Sequence, residues 1–308
     1  MIIYGLILKK GDYMKNKVDL HTHTNKSDGT FLPNDLLALA ELQQLSILSI
    51  TDHESVDAYY DIDRSLFSGK IIPGIELRTS CFGVAIELLG YGFDIDKMKK
   101  IIEKYHYKNT EELDAYMIQL AYEQYTKKGV KLDSNFIEEF NSSSSPRLSK
   151  YIKSSIMKHP ENENFSKEIP EGKSFFRTCM TNPNHPLFLD LSPAFPTVAE
   201  LVKAIKDADG IVSIPHIFQY KDYAEKILFH LLDNYDIDLV ECYYSSFTPE
   251  QTQFLLDVCN KYNKHTSGGS DFHGIVRPSV ELGKGTNDNL LIPEEDILVW
   301  MNNLKNLI

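Results

Sequence analysis

Two histidines two residues apart, His21 and His23, close the apolar run 18–20, and Asp28 follows five residues later. Imidazole and carboxylate groups at that density can hold a divalent cation or move a proton. The pattern recurs down the chain. Asp52 and His53 follow the apolar run 47–50, Glu76 follows Ile71 and Ile72, and Glu87 lies within 84–89. His216 follows 211–214, Glu241 follows Leu239 and Val240, and Asp271 and His273 follow Gly268-Gly269-Ser270. Buried charges are costly unless paired or bound to metal. Their repetition at the ends of apolar runs therefore points to ions rather than to packing. The donors are nitrogen and oxygen without thiolate, which favours Zn, Mn, Fe or Mg over a closed structural zinc site. Carboxylates able to bridge imply more than one ion. Close metal pairs serve hydrolysis, because they generate hydroxide at neutral pH and hold phosphoryl oxygens.

Elements must bring these residues together. A helix is expected over 35–45, and strands over 18–20, 46–51, 71–76 (broken at Pro73-Gly74) and 83–90. From about 94 to 186 the chain is rich in Lys, Glu, Tyr, Asn and Ser, with helical stretches at 110–128 and 146–157 and a serine run at 142–145 read as a surface loop. After Pro196 the rhythm of strand and helix returns. Helices are expected over 198–208, 222–234, 249–260 and from 293, and strands over 210–214, 237–243 and 265–267. Such alternation implies a parallel sheet, open or closed. Its functional face is the carboxyl end of the strands, where residues distant in sequence can meet. The polar middle reads as a helical insertion in a strand-to-helix loop.

The 308 residues suit one large α/β domain or two unequal ones, with a formal charge of −12. That charge repels long duplex nucleic acid but admits a small phosphorylated ligand held by metals. Cys81, Cys179, Cys242 and Cys259 form no CxxC pair, which argues against a disulfide framework and for a reduced, cytoplasmic setting. There is no apolar run of membrane-spanning length. Residues 1–14 are expected to be an N-terminal extension, with Met14 as the start; the charges at Lys9 and Lys10 follow the apolar residues instead of preceding them, unlike a secretory signal.

In this order, His21-Thr-His23, Asp28-Gly29, Thr51-Asp52-His53, Pro73-Gly74-Ile75-Glu76, Pro215-His216 and Ser270-Asp271-Phe272-His273 resemble the polymerase and histidinol phosphatase (PHP) family. The likeness runs from about Val18 to Gly283 apart from the insertion, and leans to small bacterial phosphoesterases with a helical insertion. It implies an α/β fold, a distorted seven-stranded (β/α) TIM-like barrel, spanning 15–95 and 187–308, with a mainly helical insertion at 96–186 covering the active site. It implies two or three divalent ions (Mn, Fe, Zn or Mg). His21, His23, Glu76 and Asp271 would hold one; Glu76, the residue at 87 and His216 a second; Asp28, His53 and His273 a third. The chain departs from the family at Glu87, where histidine is usual. The extra negative charge there is expected to favour harder ions in the second site.

The implied activity is hydrolysis of a small phosphate monoester (a nucleotide, nucleoside bisphosphate, RNA end or histidinol-phosphate type) by a metal-bridging hydroxide. His216 is an alternative general acid. Arg147 matches an arginine of related insertions, and Arg277 and Arg78 are further candidates for the substrate phosphate. Asp19, Asp52 and Glu241 sit where they can orient ligands. The alternatives are an amidohydrolase-type C–N hydrolase and a non-catalytic module that binds metal and phosphate.

Overall fold

The structure, a computed structural model, describes residues 17–105, 110–142 and 148–308. The extension 1–14, most of the serine run and Arg147 lie outside the described residues.

The first sheet pairs β1 (Lys17–Asp19), β2 (Leu45–Leu48) and β3 (Lys70–Ile71) in parallel. The second runs β4 (Gly74–Cys81), β5 (Val84–Tyr91), β6 (Ile211–Ile214), β7 (Leu239–Tyr244) and β8 (His265–Gly269) in that order. Its β6–β7–β8 half is parallel, while β4, β5 and β6 are antiparallel. The departure from an all-parallel sheet comes from a hairpin. Cys81 pairs with Val84 across a two-residue loop in which Phe82 and Gly83 take φ of +54° and +77°. Positive φ at both central residues belongs to the type I′ kind of tight hairpin, and Phe is not a residue that advertises it.

The two sheets meet at both seams through single bridges, Thr22 with Phe272 and His53 with Glu76. A barrel ladder closed throughout is therefore not formed among the described residues. Pro73 explains one break, since it has no N–H to give a ladder. The Tyr59 hydroxyl spans that gap, accepting from Gly74 N (2.6 Å) and Ile50 N (3.2 Å). At the other seam Leu20 N donates to Gly268 O at 3.1 Å and His23 N to Phe272 O at 2.9 Å. Gly269 permits that approach: a Cβ there would stand 2.2 Å from His21 Cβ.

Helices α1 (Pro33–Leu42), α2 (Ala58–Asp61) and α3 (Ile95–Tyr105) follow the early strands. The middle of the chain carries α4 (Thr110–Lys127), α5 (Phe136–Ser142), α6 (Leu148–Lys158) and α7 (Glu163–Ser166). Then come α8 (Val198–Asp207), α9 (Ala224–Asn234), α10 (Pro249–Tyr262) and α11 (Glu294–Met301). Capping boxes open α8 (Thr197 with Glu200) and α10 (Thr248 with Gln251), which fixes where the chain turns away from the strand ends. Three apolar cores form among the described residues. One lies around the sheets and includes Met98 of α3. A second is helical, running from Leu113 to Leu191 with Ala85 of β5 against it. A third joins Leu20, Ile47, Leu89 and Leu239 to Trp300 and Met301 of α11. The packing groups α3 with the sheets, and the helical core runs past 186 to Leu191, where the resemblance implies an insertion over 96–186. Periodicity alone could not assign α3, because its polar face reads like the rest of the middle segment.

Candidate functional site

Glu76 is the hub. Its Oε2 lies 3.2 Å from His21 Nε2, 3.3 Å from His23 Nε2 and 3.4 Å from His53 Nδ1. Its Oε1 lies 2.9 Å from His216 Nε2. Asp271 Oδ1 approaches His23 Nε2 (3.3 Å), His273 Nδ1 (3.4 Å) and His21 Nε2 (3.6 Å). Asp28, half exposed at the mouth, offers Oδ1 to His273 Nε2 at 3.1 Å and Oδ2 to His53 Nε2 at 3.9 Å. Glu87 Oε2 stands 3.5 Å from His216 Nε2 at the edge of the cluster.

Strand ends make this possible. His21 and His23 leave β1 on one face, as residues two apart do. Glu76 sits near the start of β4, beside the turn after β2 that carries His53. Asp271 (φ +58°) and His216 (φ +24°) occupy backbone regions rare for side-chain-bearing residues. Such strain persists only where surrounding structure enforces it.

Three groups of ligand atoms lie within 4.8 Å of one another: His23, Asp28, His53 and His273; His21, His23 and Glu76; and His53, Glu76 and Glu87. His53 and His23 thus each adjoin two groups, and His216 contacts Glu76 rather than closing a group of its own. The donors suit divalent cations by chemistry, oxygen and imidazole without thiolate. They suit them by geometry too. His23 Nε2, His53 Nδ1 and His273 Nε2 are buried beside carboxylates yet form no aligned hydrogen bond. Buried polar atoms are almost always bonded; nitrogens left over in this way have the chemistry to accept divalent cations.

A second layer holds these rings. Glu241, fully buried, takes His21 Nδ1 at 2.9 Å and the His216 backbone N–H at 2.6 Å. It thereby leaves His21 Nε2 facing Glu76. His273 Nδ1 bonds Asp271 O at 2.8 Å, turning Nε2 toward Asp28. Asp52 accepts from Thr24 N (2.7 Å), Thr24 Oγ1 (2.6 Å) and Ser27 Oγ (2.6 Å), holding the loop between His23 and Asp28. Asp19 touches no imidazole. It accepts from Ser270 N and Gly283 N, both at 2.8 Å, and burial pushes its carboxyl up to about 6 against those bonds.

The cluster is electrostatically tight. Burial alone would depress the imidazolium of His23, but Asp271 and Glu76 outweigh it and raise the pKa to about 10. His21 and His216 rise likewise against their burial, His21 by the charges of Glu76, Glu241 and Asp271. Burial resists ionisation of Glu76, Asp271 and Asp28, yet the surrounding imidazoles hold all three below the usual carboxylate range. Glu87 moves the other way, raised by burial and by the charge of Glu76.

The arginines are placed differently from one another. Arg78 forks onto Glu54, with Nη2 at 2.6 Å and Nε at 2.9 Å, and is thus committed to a carboxylate. Arg277 donates to Asp271 Oδ2. Arg147 lies outside the described residues. Tyrosines supply contacts that the strand-end pattern did not flag. Tyr244 donates to Asp271 Oδ2 at 2.7 Å and accepts from Gln219 Nε2 at 2.5 Å. Tyr220 accepts from Glu87 N at 2.9 Å. Strict alternation from Glu241 would point Tyr243 inward. A β-bulge between Glu241 and Tyr243 re-aims the strand so that Tyr244 arrives instead.

No family model matches the chain. It is 24% identical over 306 residues to a 5'-3' exoribonuclease of Haemophilus influenzae, covering 93% of this chain and 99% of that protein. It is 22% identical to the 5'-3' exoribonuclease Rnm of Escherichia coli, covering 86% and 88%. Among solved structures, one from Bifidobacterium adolescentis assigned as a metal-dependent phosphoesterase superposes with a TM-score of 0.53 at 18% identity, covering 91% and 93%. That likeness supports the α/β fold.

Proposed function

We propose that this chain is a metal-dependent phosphoesterase of the PHP type that hydrolyses a nucleotide or the phosphorylated end of a short RNA. The observation that carries it is the convergence of His21, His23, His53 and His216 on Glu76, with four ring nitrogens of the cluster (His23 Nε2, His53 Nδ1, His216 Nδ1 and His273 Nε2) buried and without a hydrogen bond. Two relatives that the chain matches along most of their length are named 5'-3' exoribonucleases, which cleave phosphoester bonds. The sheets read as an opened TIM-like barrel, its two halves stitched at single bridges.

His21, His23, Glu76 and Asp271 would hold one ion, and Asp28, His53 and His273 another. A third would lie between Glu76, Glu87 and His216, with His53 near enough to share. When bound, such ions supply Lewis acidity and an activated water. The chain's own residues do the rest. Glu241 and the Asp271 carbonyl fix the tautomers of His21 and His273. Arg277, 41% exposed beside Asp271, is a cation placed to take a phosphoryl oxygen in exchange for that carboxylate. Arg78, already paired, serves to hold Glu54 and the pocket wall. His216 spends Nε2 on Glu76, which favours the ligand role over that of general acid. The four cysteines are free and buried, in keeping with a reducing compartment. No helix among the described residues is long and apolar enough to cross a membrane.

The decisive test is phosphate release from mononucleotides, nucleoside bisphosphates and 5'-phosphorylated oligoribonucleotides with Mn²⁺, alongside metal content. Turnover abolished by chelator and by Asp271→Ala supports the reading. Full turnover by Asp271→Ala or His23→Ala overturns the site.

A further inference from the structure

The two oxygens of Asp271 have separate surroundings. Oδ1 faces imidazoles, with His23 Nε2 at 3.3 Å, His273 Nδ1 at 3.4 Å and His21 Nε2 at 3.6 Å. Oδ2 accepts two hydrogen bonds, one from the Tyr244 hydroxyl at 2.7 Å and one from Arg277 Nη1. Asp271 is 3% exposed, so water is not at hand to replace a lost partner. A buried carboxylate oxygen left without a donor carries its full desolvation cost.

The two donors differ in their freedom to leave. Tyr244 is buried, its ring centroid 5.5 Å from that of His216 and 5.1 Å from that of Phe247. Its hydroxyl accepts from Gln219 Nε2 at 2.5 Å, so its single proton is aimed at Asp271. Gln219 itself is exposed, on the 3-10 segment Ile217–Tyr223 that follows His216. Arg277 is 41% exposed and stands just past the 3-10 turn Gly274–Val276. A guanidinium so placed can trade a carboxylate for a phosphate, since its planar fork fits either. A phenol packed between two rings stays where it is. Were Arg277 the sole donor to Oδ2, its departure would strand that oxygen. Asp271 would then either hold the guanidinium back or turn away from the imidazoles.

We infer that Tyr244 is a positioning residue that frees Arg277 for the substrate phosphate. It keeps Oδ2 of Asp271 bonded, and Oδ1 on the imidazoles, when the guanidinium takes a phosphoryl oxygen. Gln219 assists by aiming the Tyr244 proton. The inference rests on the phosphoesterase reading and gives that site the residue through which phosphate capture and metal holding share one carboxylate.

The test is a double-mutant cycle on the full chain. Tyr244→Phe, Arg277→Ala and the double variant are titrated calorimetrically with Mn²⁺, then with inorganic phosphate at saturating Mn²⁺. KM and kcat are measured for a mononucleotide. Tyr244→Phe is expected to keep Mn²⁺ affinity near wild type, because Arg277 still holds Oδ2. It is expected to weaken phosphate by about tenfold, with KM rising more than kcat falls. Arg277→Ala is expected to weaken phosphate and spare Mn²⁺. In the double variant nothing bonds Oδ2. Its Mn²⁺ affinity is expected to fall about tenfold beyond the product of the single effects, with phosphate affinity matching Arg277→Ala. Single effects that simply multiply for both ligands overturn the shared role, as does a Tyr244→Phe that loses Mn²⁺ by itself. Folding is read by circular dichroism. Should Tyr244→Phe misfold, Gln219→Leu at its exposed position decides: weakened phosphate with Mn²⁺ affinity kept supports the role, and wild-type phosphate affinity overturns it. The expected affinities with no phosphate ester turned over keep the positioning role and overturn the hydrolase. Turnover with a multiplicative cycle does the reverse.

Discussion

At the residue scale the site is a problem in holding like charges. Glu76 and Asp271 stay ionised because imidazoles crowd them, and the same carboxylates make His21, His23 and His216 more basic than usual. Metal must therefore displace protons, so affinity climbs as pH rises. Glu241→Gln, which keeps the shape but removes the charge behind His21 and His216, is expected to weaken metal binding by about 10- to 100-fold. Metal titration followed by calorimetry checks it, and unchanged affinity would demote Glu241 to packing. Glu87 is the position where this chain departs from the resemblance, and the geometry sets it at the rim, raised in pKa and 3.5 Å from His216. Glu87→His is expected to shift the bound metal toward zinc when the protein is reconstituted from equal Mn²⁺ and Zn²⁺. Elemental analysis showing the same composition in both proteins would remove Glu87 from the ligand set.

At the element scale the site depends on strands coming closer than side chains allow. Gly269 ends β8 against His21, and a methyl there meets Cβ, N and Cα of His21 within 2.7 Å. Backbone must move, so Gly269→Ala is expected to cost about 1–3 kcal/mol of stability and to disturb the first metal position. Urea denaturation and metal stoichiometry measured together would show it; a variant with native stability and full metal would mean the seam is looser than the packing indicates. The bulge in β7 has a comparable effect, since it delivers Tyr244 to Asp271. Much of this scale was legible. Apolar runs placed β2, β6 and β7 within a few residues, because burial on both faces demands such runs. The β4–β5 hairpin was not, because its turn uses Phe82 where Asn or Gly would have signalled it.

At the scale of the whole molecule the buried cluster links stability to pH and to metal. The sign follows from His23, whose pKa is about 10 when folded against about 6.5 when exposed. A raised imidazole contributes stability that is complete below pH 6.5 and is lost as pH rises toward 10. The metal-free chain is thus expected to melt at progressively lower temperature across that window, and His23→Ala to show a flatter slope. Metal reverses the trend, because it binds the neutral ring and only the folded state. At a hundred times its Kd a bound ion adds about 2.7 kcal/mol. Differential scanning calorimetry from pH 6.5 to 10, with chelator and with Mn²⁺, separates the two curves; parallel curves would sink this account.

What the amino-acid sequence determined by itself was the inventory and its chemistry. Ligand-type side chains follow apolar runs at His21, His53, Glu76, His216 and Asp271, and burial makes such groups intolerable without partners. Grouping was another matter. That His53 leans on Glu76 as well as toward Asp28, that Arg78 is spent on Glu54, and that Tyr244 instead of Tyr243 reaches Asp271 were decided by seams, a bulge and strained backbone. These depend on distances of a few tenths of an ångström between segments far apart in the chain. Local pattern carries no record of such distances, because they are set only when the two sheets and the helical core pack together.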